Sequence, residues 1–307
     1  MSTNGVVPVT VIGGYLGAGK TTLLNHLLTS ASERLAVLVN DFGDINIDAG
    51  LIESHDGETM TLANGCICCS MVDGLAAAME SVLALEPRPD RLVIEASGVA
   101  DPATVAGYCH APGLLLDAVV VVVDVETVRA KVGDRYTGDM VAAQLRAADI
   151  LIVNKVDLVN PPDVADVIDW LDGYCPDGLK IPAEQAVVAH QLLFGADLPS
   201  GREPGGSGPS SSPADEVFQS WSWSGEKALD RDRIEAMMDA VPDGIWRVKG
   251  LVRLSGDDRR FWVLQRVGGR WSLRPTSVPA GDRPRSELVA IGHRGAIDDV
   301  WLDRYLG

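Results

Sequence analysis

Runs of apolar residues with no polar alternation recur through the first half of the chain. The first, Val6 to Ile12, ends at Gly13 and Gly14, and the others are Leu35 to Asn40, Arg91 to Glu95, Ala118 to Asp124 and Ile150 to Asn154. Strands of this kind are buried on both faces, as in a parallel sheet covered by helices. The segments between the runs are long enough for crossover helices, and Lys20 to Ser30 carries leucines at helical spacing. The pattern predicts an α/β fold with a doubly wound, mostly parallel sheet.

The pattern changes in the last third of the chain. Residues 200–214 are dominated by Gly, Ser and Pro and predict a flexible linker. Beyond it, the chain predicts strands and helices in the order Val217 to Trp223, helix Arg231 to Val241, Trp246 to Leu254, Arg260 to Arg266, Arg270 to Arg274, Glu287 to His293 and helix Ala296 to Leu306. Gly268 and Gly269 predict a hairpin turn. We therefore predict one domain over residues 1–199, the linker over 200–214, and a smaller α+β domain with a mostly antiparallel sheet over 215–307.

A glycine-rich motif follows the first predicted strand. Gly14 to Thr21 matches G-x-x-x-x-G-K-T between a strand and a helix, the context that a phosphate-binding loop requires. Backbone N–H groups of such a loop close around phosphates, and the helix dipole adds a favourable field. Lys20 is predicted to reach the β- and γ-phosphates, and the Thr21 hydroxyl to bind Mg²⁺. The whole predicted phosphate cradle is Gly14, Gly17, Ala18, Gly19, Lys20, Thr21 and Thr22.

A second motif, Asn154 to Asp157, follows the strand that ends at Asn154. Open α/β sheets present ligand-contacting loops at this edge. The Asp157 carboxylate can accept two hydrogen bonds from the N1–H and N2–H₂ groups of guanine, while Asn154 and Lys155 frame the base. Adenine offers no such pair of donors, so the motif predicts GTP.

Glu95 to Gly98 ends another predicted strand and fits the acid-x-x-Gly switch of nucleotide hydrolases. Glu95 is predicted near Mg²⁺, and the Gly98 N–H near the γ-phosphate. The predicted catalytic residues are therefore Lys20, Thr21, Glu95 and Gly98. Val99 stands where many GTPases carry a water-orienting Gln, which predicts slow intrinsic hydrolysis.

Three cysteines, Cys66, Cys68 and Cys69, lie between these motifs. They follow Asn64 and Gly65, so we expect them on a turn and not in a core strand, where thiolates can converge on a soft or borderline cation such as Zn²⁺. Three thiolates leave a tetrahedral metal one ligand short. A carboxylate, His55, water or a second chain could supply the fourth, and the last of these predicts a metal- and GTP-dependent homodimer.

Other candidate ligands are weaker. Three acids lie where GTPases place a switch, and each could touch Mg²⁺, supply the fourth thiol-site ligand or be solvated: Asp41, Asp44 and Asp48. We expect Cys109 and His110 to be a packed cysteine and a histidine at a helix end, not a second metal pair. Cys175 is expected to be structural.

The charge balance excludes some partners. The formal net charge is −17, which argues against extensive contact with nucleic acid phosphates. We find no signal peptide and no membrane span. An odd number of cysteines, five, does not make a disulfide framework. A reducing cytoplasm, with thiols able to bind metal, fits better.

With these motifs in this order, the chain resembles the CobW-type P-loop GTPases, metallochaperones related to the nickel proteins HypB and UreG. The resemblance covers most of the chain and rests on Gly14 to Thr21, Asn40 to Asp44, Gly65 to Cys69, Glu95 to Pro102, Gln144 before Ala148 and Asp149, and Asn154 to Asp157. Less specifically, Arg247 to Gly250 and Gly268 to Trp271 resemble the CobW carboxy-terminal domain.

The resemblance implies a GTPase in which GTP and Mg²⁺ order the switch loops around the cysteines and raise metal affinity. Hydrolysis would then release Zn²⁺, Co²⁺ or another divalent transition metal to a client metalloprotein or cofactor-biosynthesis enzyme. Two features depart from the family. Asp41, a candidate metal ligand, stands where Glu is usual, and residues 200–214 lack the histidines that many relatives carry there.

Two other functions stay open from the sequence. A regulatory GTPase could use the three cysteines only to hold its fold together. A P-loop kinase or synthetase of a small metabolite is the other alternative, and the guanine motif from Asn154 to Asp157 argues against it.

Overall fold

The computed structural model describes residues 6–31, 33–39, 52–56, 59–62, 67–70, 74–195, 218–279, 285–296 and 299–306. They divide into two compact units, one within residues 1–190 and one within 191–307. Among the described residues, the helices are too short or too polar to cross a membrane. The predicted linker lies outside these residues.

The first unit alternates strands and helices. Its strands are β1 (Val7–Gly13), β2 (Leu35–Val39), β3 (Ile52–Asp56), β4 (Thr59–Leu62), β5 (Ile67–Ser70), β6 (Arg91–Glu95), β7 (Leu114–Asp124), β8 (Ile150–Asn154) and β9 (Leu179–Ala183). Its helices are α1 (Lys20–Ser30), α2 (Leu75–Leu83), α3 (Pro102–Tyr108), α4 (Val128–Val132), α5 (Gly138–Ala147) and α6 (Pro161–Leu171). The five predicted apolar runs all form strands, and the predicted first helix has the predicted bounds.

These strands form one sheet in the order β3-β4-β5-β2-β6-β1-β7-β8-β9. From β5 to β9 every neighbouring pair is parallel, whereas β4 pairs antiparallel with both β3 and β5. The predicted α/β fold with a mostly parallel sheet is confirmed.

Burial explains why the runs lack alternation. Every residue of β1, β2 and β8 is buried, because helices cover both faces of a parallel sheet. The α1 helix contributes a stripe of four leucines, each at most 1% exposed: Leu23, Leu24, Leu27 and Leu28. The leucines at helical spacing in the sequence therefore mark the side of α1 that packs on the sheet.

The strand order reverses next to β1. The chain builds β2 and β6 on one side of β1 and then β7, β8 and β9 on the other. Ligands of open α/β sheets bind at such a switch point, outside the carboxyl ends of the strands. Three of these strand ends belong to or precede a motif that the sequence predicts to bind the nucleotide: Gly13, Glu95 and Asn154.

The second unit is an antiparallel sheet with helices. Its elements are α7 (His190–Phe194), which starts at the last residue of the first unit, β10 (Phe218–Gly225), α8 (Arg231–Asp239), β11 (Ile245–Leu254), β12 (Asp257–Val267), β13 (Arg270–Pro279), β14 (Ser286–His293) and α9 (Asp299–Leu306). The strand order is β10-β14-β11-β12-β13, and Ile234, Met237 and Met238 of α8 lie in its core. Gly268, with φ of 54°, makes the predicted hairpin turn between β12 and β13. The predicted α+β class of this part is confirmed.

A buried charge cluster lies at the amino-terminal end of β6. The Arg91 guanidinium is 2.6 Å from the Asp117 carboxylate and 3.0 Å from that of Glu33. The side chain of Asp117 is fully buried. Burial lowers the pKa of Arg91, but the two carboxylates outweigh it and hold that pKa above its ordinary value. Arg91 thus compensates a carboxylate that has no access to water.

Replacing Arg91 with Met is expected to lower the free energy of unfolding by about 3 kcal/mol, because it removes the positive charge beside a buried carboxylate. Urea unfolding followed by circular dichroism measures the change. The control is Arg129→Met, which breaks an exposed pair with Asp166 and should cost no more than about 1 kcal/mol. Adding Asp117→Leu to Arg91→Met should restore much of the loss. Equal losses for Arg91→Met and Arg129→Met would contradict the assignment.

Candidate functional site

The loop between β1 and α1 has a backbone that only glycine permits at its bends. Gly14, Gly17 and Gly19 have φ of 128°, 77° and 111°, a region that other residues rarely adopt. A Cβ atom at Gly14 would lie 2.2 Å from the carbonyl oxygen of Val122, and one at Gly19 would lie 2.3 Å from the Asn154 side-chain nitrogen. The loop is therefore packed against the ends of β7 and β8, with no room for side chains there.

Two predicted magnesium ligands lie together beside this loop. Thr21 Oγ1 donates a hydrogen bond to Glu95 Oε1 at 3.4 Å, so α1 and the end of β6 place a hydroxyl and a carboxylate side by side. Oxygen ligands of this kind suit Mg²⁺. Lys20 is 8% exposed, and its Nζ donates to the carbonyl of Tyr15 at 3.4 Å. Thr22, next to Thr21 in α1, is exposed.

Asn154 joins the phosphate-loop segment to a loop that follows β9. Its Nδ2 donates to the carbonyl of Ala18 at 2.9 Å, and its Oδ1 accepts from the N–H of Ala186 at 2.7 Å. Asn154 is 2% exposed, so both bonds are shielded from water. Gln185 and Ala186 have φ of 51° and 55°. No motif in the sequence marks Ala186, because its contact with Asn154 depends on the left-handed backbone of Gln185 and Ala186.

Lys155 and Asp157 lie at the same edge of the sheet. Lys155, with φ of 67°, pairs with Asp124 at the end of β7, with 2.7 Å between Nζ and Oδ2. Asp157 lies in a 3₁₀ turn, Val156–Leu158, and is exposed. In this turn Asp157 is exposed to solvent, while the Lys155 side chain is held by its ion pair with Asp124.

Gly98 lies directly against the phosphate loop. A Cβ atom at Gly98 would be 2.6 Å from Leu16 Cδ2 and 3.0 Å from the Leu16 backbone nitrogen. Val99, the next residue, is 58% exposed, and Leu16 is 62% exposed. The structure therefore brings together the predicted Gly98 and the glycine-rich loop, with an open surface beside them.

The expected turn for the thiols is wrong for two of the three cysteines. Cys68 and Cys69 belong to β5, which pairs with β2 on one side and β4 on the other. Their backbone is hydrogen-bonded to a strand on each side, which a turn would not be. Cys66 lies outside the described residues, as do Asp41, Asp44 and Asp48. The backbone of His55 lies in β3.

Cys109 and Cys175 are buried free thiols. Burial raises the pKa of Cys109 to about 12 and also raises that of Cys175. Their sulfurs donate to the carbonyls of Val105, at 3.5 Å, and Ala148, at 3.1 Å. The expectation of packed cysteines is confirmed, because both side chains are buried. His110, beside Cys109, is exposed.

Comparison with known proteins follows the same division of the chain. A family profile described as CobW/HypB/UreG, nucleotide-binding domain, matches residues 8–177. A second profile, described as cobalamin synthesis protein cobW C-terminal domain, matches residues 218–306. The chain belongs to the CobW/HypB/UreG family. The resemblance inferred from the motifs is confirmed.

Individual relatives of this CobW-family chain are similar over different lengths. A zinc chaperone CobW of Pseudomonas aeruginosa is 30% identical over 334 residues, covering 95% of this chain and 89% of that protein. A zinc chaperone CobW of Sinorhizobium sp is 32% identical over 228 residues, covering 63% of this chain and 64% of that protein. The crystal structure of the Zn(II)-bound YjiA GTPase from E. coli shares 25% identity with a TM-score of 0.51, covering 98% of this chain and 99% of that one.

Proposed function

We propose that this chain is a GTP-hydrolysing metal chaperone that binds a transition metal, with Zn²⁺ first among the candidates, at Cys66, Cys68 and Cys69. The names of its relatives support a GTPase with a metallochaperone role and support zinc. Delivery to a client metalloprotein or cofactor-biosynthesis enzyme, and a metal- and GTP-dependent homodimer, are parts of the same proposal.

One observation carries the link between nucleotide and metal. The strand β5, with Cys68 and Cys69, pairs in parallel with β2, and β2 pairs in parallel with β6, which ends at Glu95. Neighbouring strands lie about 4.8 Å apart, so β5 is about 10 Å from the strand of a predicted magnesium ligand. Residues 40–51, with the candidate switch acid Asp41, follow β2 directly. A change at the nucleotide therefore has a short route to the thiols.

The residues of the nucleotide site fit GTP and Mg²⁺. Gly14 and Gly19 carry no side chains that could cover the phosphate-loop N–H groups. The Thr21 hydroxyl and the Glu95 carboxylate lie side by side and are oxygen ligands of the kind that Mg²⁺ takes. Asp157, the residue proposed to bind the guanine base, is exposed. In the proposed site Lys20 binds the β- and γ-phosphates and the Gly98 N–H binds the γ-phosphate. Slow turnover is part of the proposal, because Val99 has no group that could orient water.

Zn²⁺ is expected to bind at least about tenfold more tightly when the protein carries a non-hydrolysable GTP analogue than when it carries GDP, a coupling of ordinary size for two linked sites. Competition with a zinc-chelating dye measures both affinities. By linkage, Zn²⁺ must tighten binding of the GTP analogue by the same factor, which calorimetry checks independently. Equal zinc affinities in the two nucleotide states would refute nucleotide-gated metal binding.

A regulatory GTPase with structural cysteines is the second candidate, and one observation favours it: Cys68 and Cys69 lie in a strand that is paired on both sides. Replacement of Cys66, Cys68 and Cys69 by Ser separates the two functions when the zinc titration is combined with a thermal melt. A carrier loses zinc binding and keeps its melting temperature, whereas a structural role lowers the melting temperature. The matched control is Cys109→Ser with Cys175→Ser, which should keep zinc binding.

A further inference from the structure

Gln144 is a motif residue to which the proposed function gives no role. It lies in α5 and is 1% exposed. The neighbours Val141 and Leu145 on the same helix are buried apolar residues, so Gln144 is a polar side chain in an apolar setting. Burying an amide without hydrogen bonds is costly. Its bonds therefore indicate what the side chain does.

The Gln144 side-chain nitrogen makes two hydrogen bonds to one loop. It donates to the carbonyl oxygen of Gly98 at 3.1 Å and to that of Ala100 at 2.8 Å. A primary amide has two hydrogens on one nitrogen, so both donors are used. Gln144 Oε1 is buried and accepts no hydrogen bond from the residues that the structure describes. The interaction of this side chain with the loop is therefore carried by the nitrogen.

The loop that Gln144 holds is fixed at both ends by other contacts. At its start, the N–H of Ala96 donates to the carbonyl of Ile12 in β1 at 2.8 Å. At its end, Asp101 caps α3 by accepting from the N–H of Ala103 at 2.9 Å. Between these anchors, the bonds from Gln144 hold the middle of the loop from the side of α5.

The middle of the loop contains the residue with the most conformational freedom. Gly98 has no Cβ, and glycine loses more backbone entropy on ordering than any other residue. It also lies against the Leu16 backbone of the phosphate loop. A turn closed by the N–H of Ala100 and the carbonyl of Ser97, at 2.9 Å, surrounds it. Two bonds to the Gly98 and Ala100 carbonyls restrict the orientation of the peptide groups beside Gly98.

We propose that Gln144 is a positioning residue that holds the Gly98 loop in the orientation that binds the γ-phosphate, and so determines the preference for GTP over GDP. The inference rests on the proposed function, because it assigns the Gly98 N–H to the γ-phosphate. GDP has no γ-phosphate, so the loop contributes to the affinity for GTP and not to that for GDP. Removing the two donors therefore separates the two nucleotides.

Two substitutions remove the donors without shortening the side chain. Gln144→Met has a similar length and no donor, and Gln144→Glu sets an acceptor against two carbonyl acceptors. Each is expected to weaken binding of a non-hydrolysable GTP analogue by about tenfold, which corresponds to about 1.4 kcal/mol. The affinity for GDP should change by less than about twofold, because GDP has no γ-phosphate for the loop to bind. Isothermal titration calorimetry with each nucleotide measures both affinities.

The control variant is Asp139→Asn, on the exposed side of the same helix, which should leave both affinities unchanged. A purely structural role for Gln144 would lower the melting temperature and weaken both nucleotides equally. An unchanged ratio of the two affinities in both Gln144 variants overturns the proposal. If wild-type protein binds neither nucleotide, the proposed function fails instead, and the two failures are thereby distinguished.

A measurement on the wild-type protein covers the case in which both variants fail to fold. The side-chain NH₂ resonances of Gln144, assigned by triple-resonance NMR, should remain protected from solvent exchange with the GTP analogue bound. Rapid exchange of these hydrogens in that state would show that the two bonds are absent when the γ-phosphate is present, and would overturn the proposal.

Discussion

Lys20→Ala is expected to lower kcat/KM for GTP by about 10³-fold or more, because it removes the cation that the proposed site places on the β- and γ-phosphates. The Lys20 side chain is 8% exposed, so its ammonium lies in a region where water screens charge poorly and its attraction to phosphates is correspondingly strong. Phosphate release in single-turnover experiments at saturating enzyme measures the change.

The control for Lys20→Ala is a second lysine near the same loop. Lys131 lies over the ring of Tyr15, with 5.1 Å between Nζ and the ring centroid, and is half-buried. Lys131→Ala removes one positive charge from the neighbourhood but none from the proposed cradle, so its kcat/KM should stay within a few-fold of wild type, the scale of a weak cation–π contact. If the two variants lose equal activity, the loss reports local charge and not a phosphate contact.

Protein stability gives an independent test of the role of Lys20 in nucleotide binding. A ligand that binds only the folded state raises the free energy of unfolding, so the response of each protein to nucleotide reports whether Lys20 contributes to binding. Wild-type protein at a hundredfold excess of GTP analogue over its Kd should gain about 2.7 kcal/mol of stability, and the variant should gain almost none. A variant that melts lower without nucleotide would instead indicate a structural role for Lys20.

The regular parts of the fold could be predicted because one physical rule governs them. Strands of a covered parallel sheet are apolar at every position, and Leu35 to Asn40 was predicted where β2 runs Leu35–Val39. The rule fails at the edges of the sheet. In β9 only the last residue is buried, and Pro182 interrupts it, as is usual for edge strands. The hairpin of β3 and β4 pairs antiparallel and is polar in sequence, so it carries no apolar run to detect.

The candidate site likewise has contacts that the sequence predicts and contacts that it does not. Thr21 and Glu95 could be predicted to meet, because carboxyl ends of parallel strands share one sheet edge and the motifs fix which residues stand there. The link from Asn154 to Ala186 could not, because it depends on the left-handed backbone of Gln185 and Ala186, and neither residue type favours that conformation. Asn64 and Gly65 predict a turn for the cysteines, but β5 begins at Ile67, so the turn signal applies only before that residue.

Asp157→Asn is expected to exchange the base preference from guanine to xanthine nucleotides, with a change of about 10⁴-fold in the ratio of the two affinities. Asp157 is proposed to accept from N1–H and N2–H₂ of guanine. An amide at this position presents one acceptor and one donor group, and it leaves the N2–H₂ or N1–H group without its partner. Xanthine carries a carbonyl oxygen at C2, which accepts from the new amide. A site built on hydrogen bonds rejects a mismatched analogue by 10⁴–10⁵, which sets the expected size.

Competition of GTP and xanthosine triphosphate against a fluorescent guanine nucleotide measures this ratio directly. The structure favours a clean exchange because Asp157 is exposed, so the substitution leaves no buried group unpaired and the fold should hold. The neighbouring Asn154, by contrast, bridges Ala18 and Ala186 through two shielded bonds, so its replacement would disturb loop positions as well as the base. Asp169→Asn, an exposed acid in α6, makes the same chemical change away from the site and should leave the ratio at its wild-type value. An Asp157→Asn protein that still prefers GTP to the same degree would show that another group reads the guanine edge.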